Sequence, residues 1–302
     1  MRDKSNTSLA VFALALLVVV WSYNWVVMKS VLRYIGPFEF AAIRCLSGSL
    51  LLFLLLVVMG RRLAPPPFVP TVLIGLFQTS GMTGLSQLAL VSGGAGNTAI
   101  LVYTLPFWMI LLAALLLGEK ITRMQLLSIA FAATGLLLVM QPWDGGGSLL
   151  SSCFAVLAGF SWAFGAILAK KLYKQHPGVE VLNLTAWQML FGSFLIAAAA
   201  WATHDAPIVW SGYLFFALTY NVLPATAVAW VLWLFILRVL PTSVSGLSML
   251  LVPVSSVLLA WGLLDEIPNT TKLLGIACIV TGLILSSGAA SMSKGLIAKG
   301  KG

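Results

Sequence analysis

The chain has 302 residues, of which 60% are hydrophobic and only 8% charged, with a mean hydropathy of +1.04. So few charges in so long a chain exclude an ordinary soluble domain. The formal net charge of +9 invites a nucleic-acid reading, but the distribution of the basic residues excludes it.

A helix that crosses a bilayer needs roughly 20 apolar residues, and ten runs of that kind can be read: 8–32, 37–59, 70–91, 95–117, 122–140, 149–173, 181–201, 212–237, 241–264 and 270–289. The first follows Arg2 and Lys4. It is too long for a signal peptide and lacks a clean small-residue cleavage site, so it reads as a span. It carries Trp21, Ser22, Asn24 and Trp25, then Lys29. The second opens on Pro37, a favoured first helical residue, and holds Glu39 and Arg44. Arg61, Arg62 and three prolines make a stiff turn before the third span, where Gly75, Gly81 and Gly84 interleave with Gln78, Thr79, Ser80 and Gln87. The fourth carries Tyr103, Pro106 and Trp108. After the fifth, Asp144-Gly145-Gly146-Gly147 is the flexible linker, and the sixth span then places Trp162 and Lys170 as the first places Trp21 and Lys29. Gln188 stands where Arg44 would recur. Cys45, Cys153 and Cys278 fall inside spans and read as small core residues, with neither disulfide nor metal spacing.

With the N-terminus inside, thirteen Lys and Arg residues lie in cytoplasmic segments and three outside, Arg44 being within a span. That bias puts both termini in the cytoplasm. The surplus charge is topology.

Residues 99–138 occur twice. Shifted by 147 they lie on 246–285 without a gap, with fifteen identities in forty positions. Pro106 falls on Pro253, Glu119 on Glu266, and Thr134-Gly135 on Thr281-Gly282. A tandem self-match of this kind means two homologous halves, here 1–145 and 146–302. Five spans per half is an odd number, so the halves must face opposite ways. Substrate sites in that design lie at the repeat interface near the membrane midplane.

Ten spans in two five-span halves, with the proline, the turn glutamate and the closing Thr-Gly in both copies, resemble the EamA family of the drug/metabolite transporter superfamily. The resemblance covers nearly the whole chain. It implies export of amino acids and related metabolites across the bacterial inner membrane.

Pro106 and Pro253 each remove a backbone hydrogen bond and leave the carbonyls of Val102 and Met249 without their usual partner. A packing kink accounts for either proline alone. The pair at equivalent depth favours carbonyls that line a wet cavity. Glu119 and Glu266 lie about 20 Å along the helix from those prolines, at 1.5 Å per residue, and on opposite faces, so they cannot share a substrate. They read as stabilising the N-terminus of the next helix. Arg44 reads as paired with Glu39 and anchored, rather than as a substrate contact, and Lys29 is an alternative partner for Glu39.

Trp143, Trp201, Trp210 and Trp261 sit near span ends, where an interface belt is expected. Trp21 and Trp162, with Trp108 and Trp230, are too deep for that. Their faces suit an apolar or cationic substrate. Asn24, Gln78, Tyr103, Tyr220 and Asn221 are uncharged polar groups near mid-span. One alone is interhelical glue; five point to a shared wet route. The expected substrate site is therefore Trp21, Asn24, Gln78, Tyr103, Pro106, Trp162, Tyr220, Asn221, Met249 and Pro253, lined by the first, third, fourth, sixth, eighth and ninth spans.

No catalytic constellation is visible, and His176 and His204 lie in loops on opposite sides. A selective channel would want a charged ring or a carbonyl filter. The expectation is an all-α multi-pass membrane transporter, not an enzyme, that needs no cofactor and binds neither metal nor nucleic acid. Its partners are a small-molecule substrate and the lipid bilayer, as a monomer or weak dimer. The substrate is an aromatic or other apolar amino acid, moved without proton coupling. The competing reading is exchange or import of nucleotide-sugars or other metabolites within the same superfamily.

Overall fold

Long apolar runs leave the backbone only one way to satisfy itself in hydrocarbon, which is the helix. The computed structural model, which describes residues 2–92, 98, 101–141, 149–203, 207–255 and 269–299, is accordingly all-helical over those residues. The helices are α1 (Arg2–Val31), α2 (Pro37–Val58), α3 (Phe68–Ile74), α4 (Met82–Ser92), α5 (Leu105–Leu117), α6 (Arg123–Met140), α7 (Leu149–Gln175), α8 (Val181–Thr203), α9 (Gly212–Val222), α10 (Ala229–Val239), α11 (Thr242–Ser248) and α12 (Thr270–Lys299). Two π-helical segments, Gly75–Gly81 and Leu223–Val228, join α3 to α4 and α9 to α10, so that each pair forms one continuous rod.

Among the described residues, six stretches are long and apolar enough to cross a membrane: Asn6–Trp25, Pro37–Val58, Phe68–Leu90, Leu149–Gln175, Val181–Thr203 and Gly212–Val239. Four shorter apolar helices complete the bundle: Leu105–Leu117, Arg123–Leu138, Thr242–Ser255 and Thr270–Leu285. The outward faces are apolar. Val58 is 74% exposed and Leu149 81%, a surface that lipid tails cover and water would not. Cys45 is buried as expected, whereas Cys153 is exposed on α7, so its side chain belongs to the outer surface rather than the core.

The packing explains why Thr-Gly closes both repeated segments. α6 and α12 pack along each other, and at Gly135 an added Cβ would lie 2.6 Å from the carbonyl oxygen of Gly275. At Gly282 it would lie 2.8 Å from that of Ser128. Only a residue without a side chain lets the two backbones meet there. α2 and α8 form a second such pair, and α8 also packs on the first π segment. There a Cβ at Gly75 would strike the Gln188 carbonyl. Thr79 donates to Gln188 Oε1 (2.7 Å) and Ser80 to the Gly192 carbonyl (2.7 Å). α1 packs on α10 and α4 on α7.

The fourth and ninth spans are broken rather than kinked. α5 begins at Leu105, after a turn at Tyr103–Thr104, with Pro106 in its first turn. α11 ends at Ser248, and after a turn at Met249–Leu250 helix resumes with Pro253 three residues in. Proline is tolerated there because first-turn N–H groups lack helical partners anyway. The Met249 carbonyl, expected to be orphaned, accepts the Val252 N–H (3.1 Å).

One end of the bundle, the end that carries Arg61, Arg62, Lys170, Lys174 and Arg238, is tied across its middle. Glu119, just past α5, accepts from Thr242 of α11 (3.0 Å) and pairs with Lys174 of α7 (3.7 Å). Arg61 pairs with Glu180 (3.1 Å), and the Asn183 amide donates to the carbonyls of Arg62 and Ala64. Lys170 Nζ donates to the Leu240 carbonyl, and Gln125 donates to Ser243 (3.2 Å). Glu119 was expected to stabilise the next helix, but α6 has its own capping box from Thr122 and Gln125, and Glu119 ties three helices instead. Glu266 lies outside the described residues.

Candidate substrate cavity

Three of the four deep tryptophans predicted from the sequence, Trp21, Trp162 and Trp230, come together, whereas Trp108 lies apart against Phe160 (5.4 Å). Trp21 of α1 and Trp162 of α7 meet edge to face with centroids 5.3 Å apart, and Trp21 meets Trp230 of α10 at 5.9 Å. Trp233 backs both Trp21 and Trp162. Such edge contacts are worth about 0.5–1.5 kcal/mol each beyond area. Trp21 is fixed further by Nε1, which donates to the Ala225 carbonyl (3.0 Å) inside the second π segment. A π turn shifts the backbone hydrogen-bond ladder, and here an indole takes up one of its carbonyls.

These rings form one wall of a narrow cavity. α1 contributes Trp21, Asn24, Trp25 and Met28, and α2 contributes Arg44. α4 adds Met82, Thr83 and Ser86, and Tyr103 enters from the turn before α5. Trp162, Ala225 and Trp230 close it. Trp25 Nε1 donates to the Tyr103 hydroxyl (3.1 Å), which holds the turn against α1. The cavity volume is about 40 Å³, enough for a few waters and too small for an amino acid. The site is pinched in this conformation.

Four of the ten expected site residues line it: Trp21, Asn24, Tyr103 and Trp162. The others lie elsewhere for identifiable reasons. Gln78 falls in the π segment and faces α7, where its backbone crosses Gly165; a Cβ on that glycine would sit 2.7 Å from Gln78 Cβ. Tyr220 lies half-buried on the outer side of α9, edge to face with Tyr23 (5.3 Å), its hydroxyl donating to the Val20 carbonyl (2.7 Å). Asn221 is fully buried behind Arg44, its amide donating to the Ala217 carbonyl. Pro106 packs at the crossing with α11, against Gly246. Met249 is buried at the break, and Pro253 is half-buried beyond it. The second span therefore takes the place that was expected of the ninth.

Arg44 is the residue whose reading changes most. It is 7% exposed, yet among the described residues no carboxylate lies within ion-pair distance. Its Nη1 has two weak acceptors, Asn221 Oδ1 at 3.4 Å and Met28 Sδ at 3.5 Å. Its Nε has none. Glu39 does not answer it, and Glu39 Oε2 is itself buried without a partner; the Lys29 side chain lies outside what is described. An arginine at mid-helix in a bilayer costs about 2.5–3.5 kcal/mol on insertion scales. Here that cost goes to a charge aimed at the cavity. Asn24 Oδ1 and Ser86 Oγ, also lining it, are buried without partners. Thr83, Ser86 and Met82 were not picked out from the sequence. The signal available was the i, i+3 spacing of Thr83 and Ser86, which puts both hydroxyls on one face of α4.

The sequence matches the EamA-like transporter family twice, over residues 8–141 and 149–288. It is 30% identical over 294 residues to a Salmonella typhimurium protein named "Probable amino-acid metabolite efflux pump", covering 91% of this chain and 93% of that one. It is 23% identical over 276 residues to the Bacillus subtilis "Uncharacterized transporter YoaV", covering 89% and 93%. A crystal structure sharing 18% identity superposes with a TM-score of 0.79 over 94% of this chain and 98% of the other, which shows a common fold. The repeated proline, glutamate and Thr-Gly, the multi-pass helical bundle and the two consecutive matches agree: this chain belongs to the EamA-like transporter family.

Proposed function

We propose that the protein exports aromatic and other apolar amino acids and related metabolites from the cytoplasm across the bacterial inner membrane. The observation that carries this is the indole-walled cavity lined, among the described residues, by one cation without a carboxylate partner and by an unpartnered amide oxygen and hydroxyl. An aromatic wall favours a flat or apolar side chain and offers its π faces to an ammonium. The efflux-pump name of the Salmonella relative points the same way.

Transport proceeds by alternating access between two inverted five-helix halves, 1–145 and 146–302, with both termini cytoplasmic. The polar ties at the basic end make this conformation the one closed to the cytoplasm. The π segments are the hinges, since interrupted i→i−4 ladders bend at lower cost than regular helix. Both adjoin the site: Met82 and Thr83 follow the first, and Ala225 lies in the second.

The decisive experiment is a proteoliposome uptake screen against amino acids, sugars and nucleotides. Flux of phenylalanine, tryptophan or leucine is expected. Strong nucleotide-sugar exchange with no amino-acid flux overturns the reading. Sidedness is checked by labelling single cysteines in a background free of the native three. Ala64→Cys is expected to react only with a membrane-permeant reagent in cells, and Val209→Cys with an impermeant one.

A further inference from the structure

A guanidinium is a permanent cation, and that of Arg44 forms part of the cavity wall. Its described contacts are a thioether sulfur, the Cys45 thiol, an amide oxygen at 3.4 Å and the Phe40 ring at 6.0 Å; none of these groups is a carboxylate. Asn221 is not free to move closer, because its amide nitrogen is committed to the Ala217 carbonyl. A buried guanidinium left in this state lacks the planar, two-oxygen acceptor that its fork of N–H groups matches.

Other unsatisfied groups line the same cavity. Ser86 Oγ can donate or accept, and Asn24 Oδ1, a carbonyl oxygen, can only accept; the Asn24 amide nitrogen already donates to Met28 Sδ (3.2 Å). The indoles of Trp21, Trp162 and Trp230 form the apolar wall. A cation, a hydroxyl, a lone acceptor and an aromatic wall together describe the complement of a zwitterion with an apolar side chain.

We infer that Arg44 binds the substrate's carboxylate, so that the transporter selects first for an intact carboxylate and only then for the side chain. Ser86 shares that carboxylate. The ammonium goes to Asn24 Oδ1 and to the indole faces, since among the described residues no acid lines the cavity to receive it. An amine that lacks the carboxylate would leave Arg44 unpaired and pay for it in affinity, whereas an acid that lacks the ammonium would lose only a neutral acceptor and a cation–π contact. The inference rests on the amino-acid export reading but can be separated from it.

The test is calorimetric titration of the purified full-length protein with three probes that share one ring: L-phenylalanine, 3-phenylpropionate (no ammonium) and phenethylamine (no carboxylate). The two acids are expected to bind at least roughly tenfold tighter than the amine, in line with a hydrogen bond to a charged group. Arg44→Gln is expected to weaken both acids about tenfold and leave the amine unchanged, and Arg44→Lys to fall between because it lacks the fork. If Arg44→Gln does not elute as a monodisperse species, the wild-type comparison of acid with amine decides the question, with Arg44→Lys as the second variant. Equal binding of phenethylamine and phenylalanine by the wild type overturns the inference, and so does an Arg44→Gln variant that weakens acid and amine alike. If 3-phenylpropionate binding requires Arg44 while no amino acid is transported, Arg44 keeps its role and the export reading falls. If none of the three probes binds, both fall.

Discussion

Trp21 of α1 and Trp162 of α7 meet edge to face, with ring centroids 5.3 Å apart and planes at 75°, and no residue stands between them. Because α1 packs on α10 and α7 packs on α4, this contact joins the two helix pairs that flank the cavity. Trp21 also holds a π-segment carbonyl, so the ring that would touch substrate is bonded to an element that would bend.

Replacing Trp21 with alanine removes two edge contacts of about 0.5–1.5 kcal/mol each and frees the Ala225 carbonyl. Flux in proteoliposomes is expected to fall roughly tenfold or more. Trp21→Phe keeps an aromatic face but loses the Nε1 donor, and a smaller loss, about threefold to tenfold for one hydrogen bond, is expected. Equal effects of the two substitutions would show that the hydrogen bond, not the aromatic wall, is what matters.

The ties at the basic end can be ranked. The Lys174–Glu119 pair is about half exposed on the lysine side, and an exposed pair is worth about 0.2–1 kcal/mol. The Thr242 bond to the same carboxylate is part-buried and charge-assisted, worth about 1.5–3 kcal/mol. Thr242→Val is therefore expected to loosen this end more than Lys174→Ala, and Glu119→Ala at least as much as either. The readout is the alkylation rate of a cysteine placed at Ala113, buried beside Glu119, in a background free of the native cysteines, which should rise in that order. A larger effect of Lys174→Ala would invert the ranking.

Where glycine is required for contact, alanine should be costly. Gly282→Ala puts a methyl 2.8 Å from the Ser128 carbonyl oxygen, and Gly135→Ala meets backbone at 2.6 Å. Overpacking of this kind costs about 1–3 kcal/mol, so each should lower the thermal unfolding midpoint measurably. Gly178→Ala, with nothing within 4 Å of the added carbon, serves as the control and should leave it unchanged.

The sequence makes some of this site legible and hides the rest for physical reasons. Trp21 and Trp162 stand out because they lie too deep for an interface belt, and depth is a linear property of the chain. Arg44 is misread because Glu39, five residues away, looks like a partner. Five residues at 100° each place the two side chains about 140° apart around the helix, so proximity along the chain is not contact. Tyr220 and Asn221 both look like cavity residues, yet neighbours on a helix point about 100° apart. Asn221 turns inward behind Arg44 while Tyr220 turns outward onto Tyr23. Gln78 is displaced by a π segment, whose extra residue per turn rotates everything after it. Nothing in Gly75–Gly81 announces that segment beyond an excess of glycine and small polar residues. The Thr-Gly repeat, by contrast, was visible as a pattern, and its cause, the meeting of α6 and α12 backbones, appears only in three dimensions.

The remaining prediction concerns what drives transport. Proton-driven carriers place an acid or histidine chain inside the membrane to carry the proton. Of the eight acids in the chain, Glu119 and Glu180 are engaged at the basic end by Lys174, Thr242 and Arg61. Asp3 lies in the first turn of α1, and Asp144, Asp205, Asp265 and Glu266 lie outside the described residues. Among the described residues Glu39 is the one that remains, in the first turn of α2, half-buried, with Oε2 unpartnered. It does not line the cavity, so a proton on it has no direct path to the substrate. Efflux down the substrate's own gradient is therefore expected, with an imposed pH gradient leaving the steady-state level at equilibrium. Glu39→Gln keeps the shape of the side chain and removes its charge, so flux should stay within about twofold. The measurement is substrate accumulation in proteoliposomes with and without the gradient. Accumulation above equilibrium that disappears in Glu39→Gln would identify Glu39 as the coupling site and make the protein a proton-driven carrier.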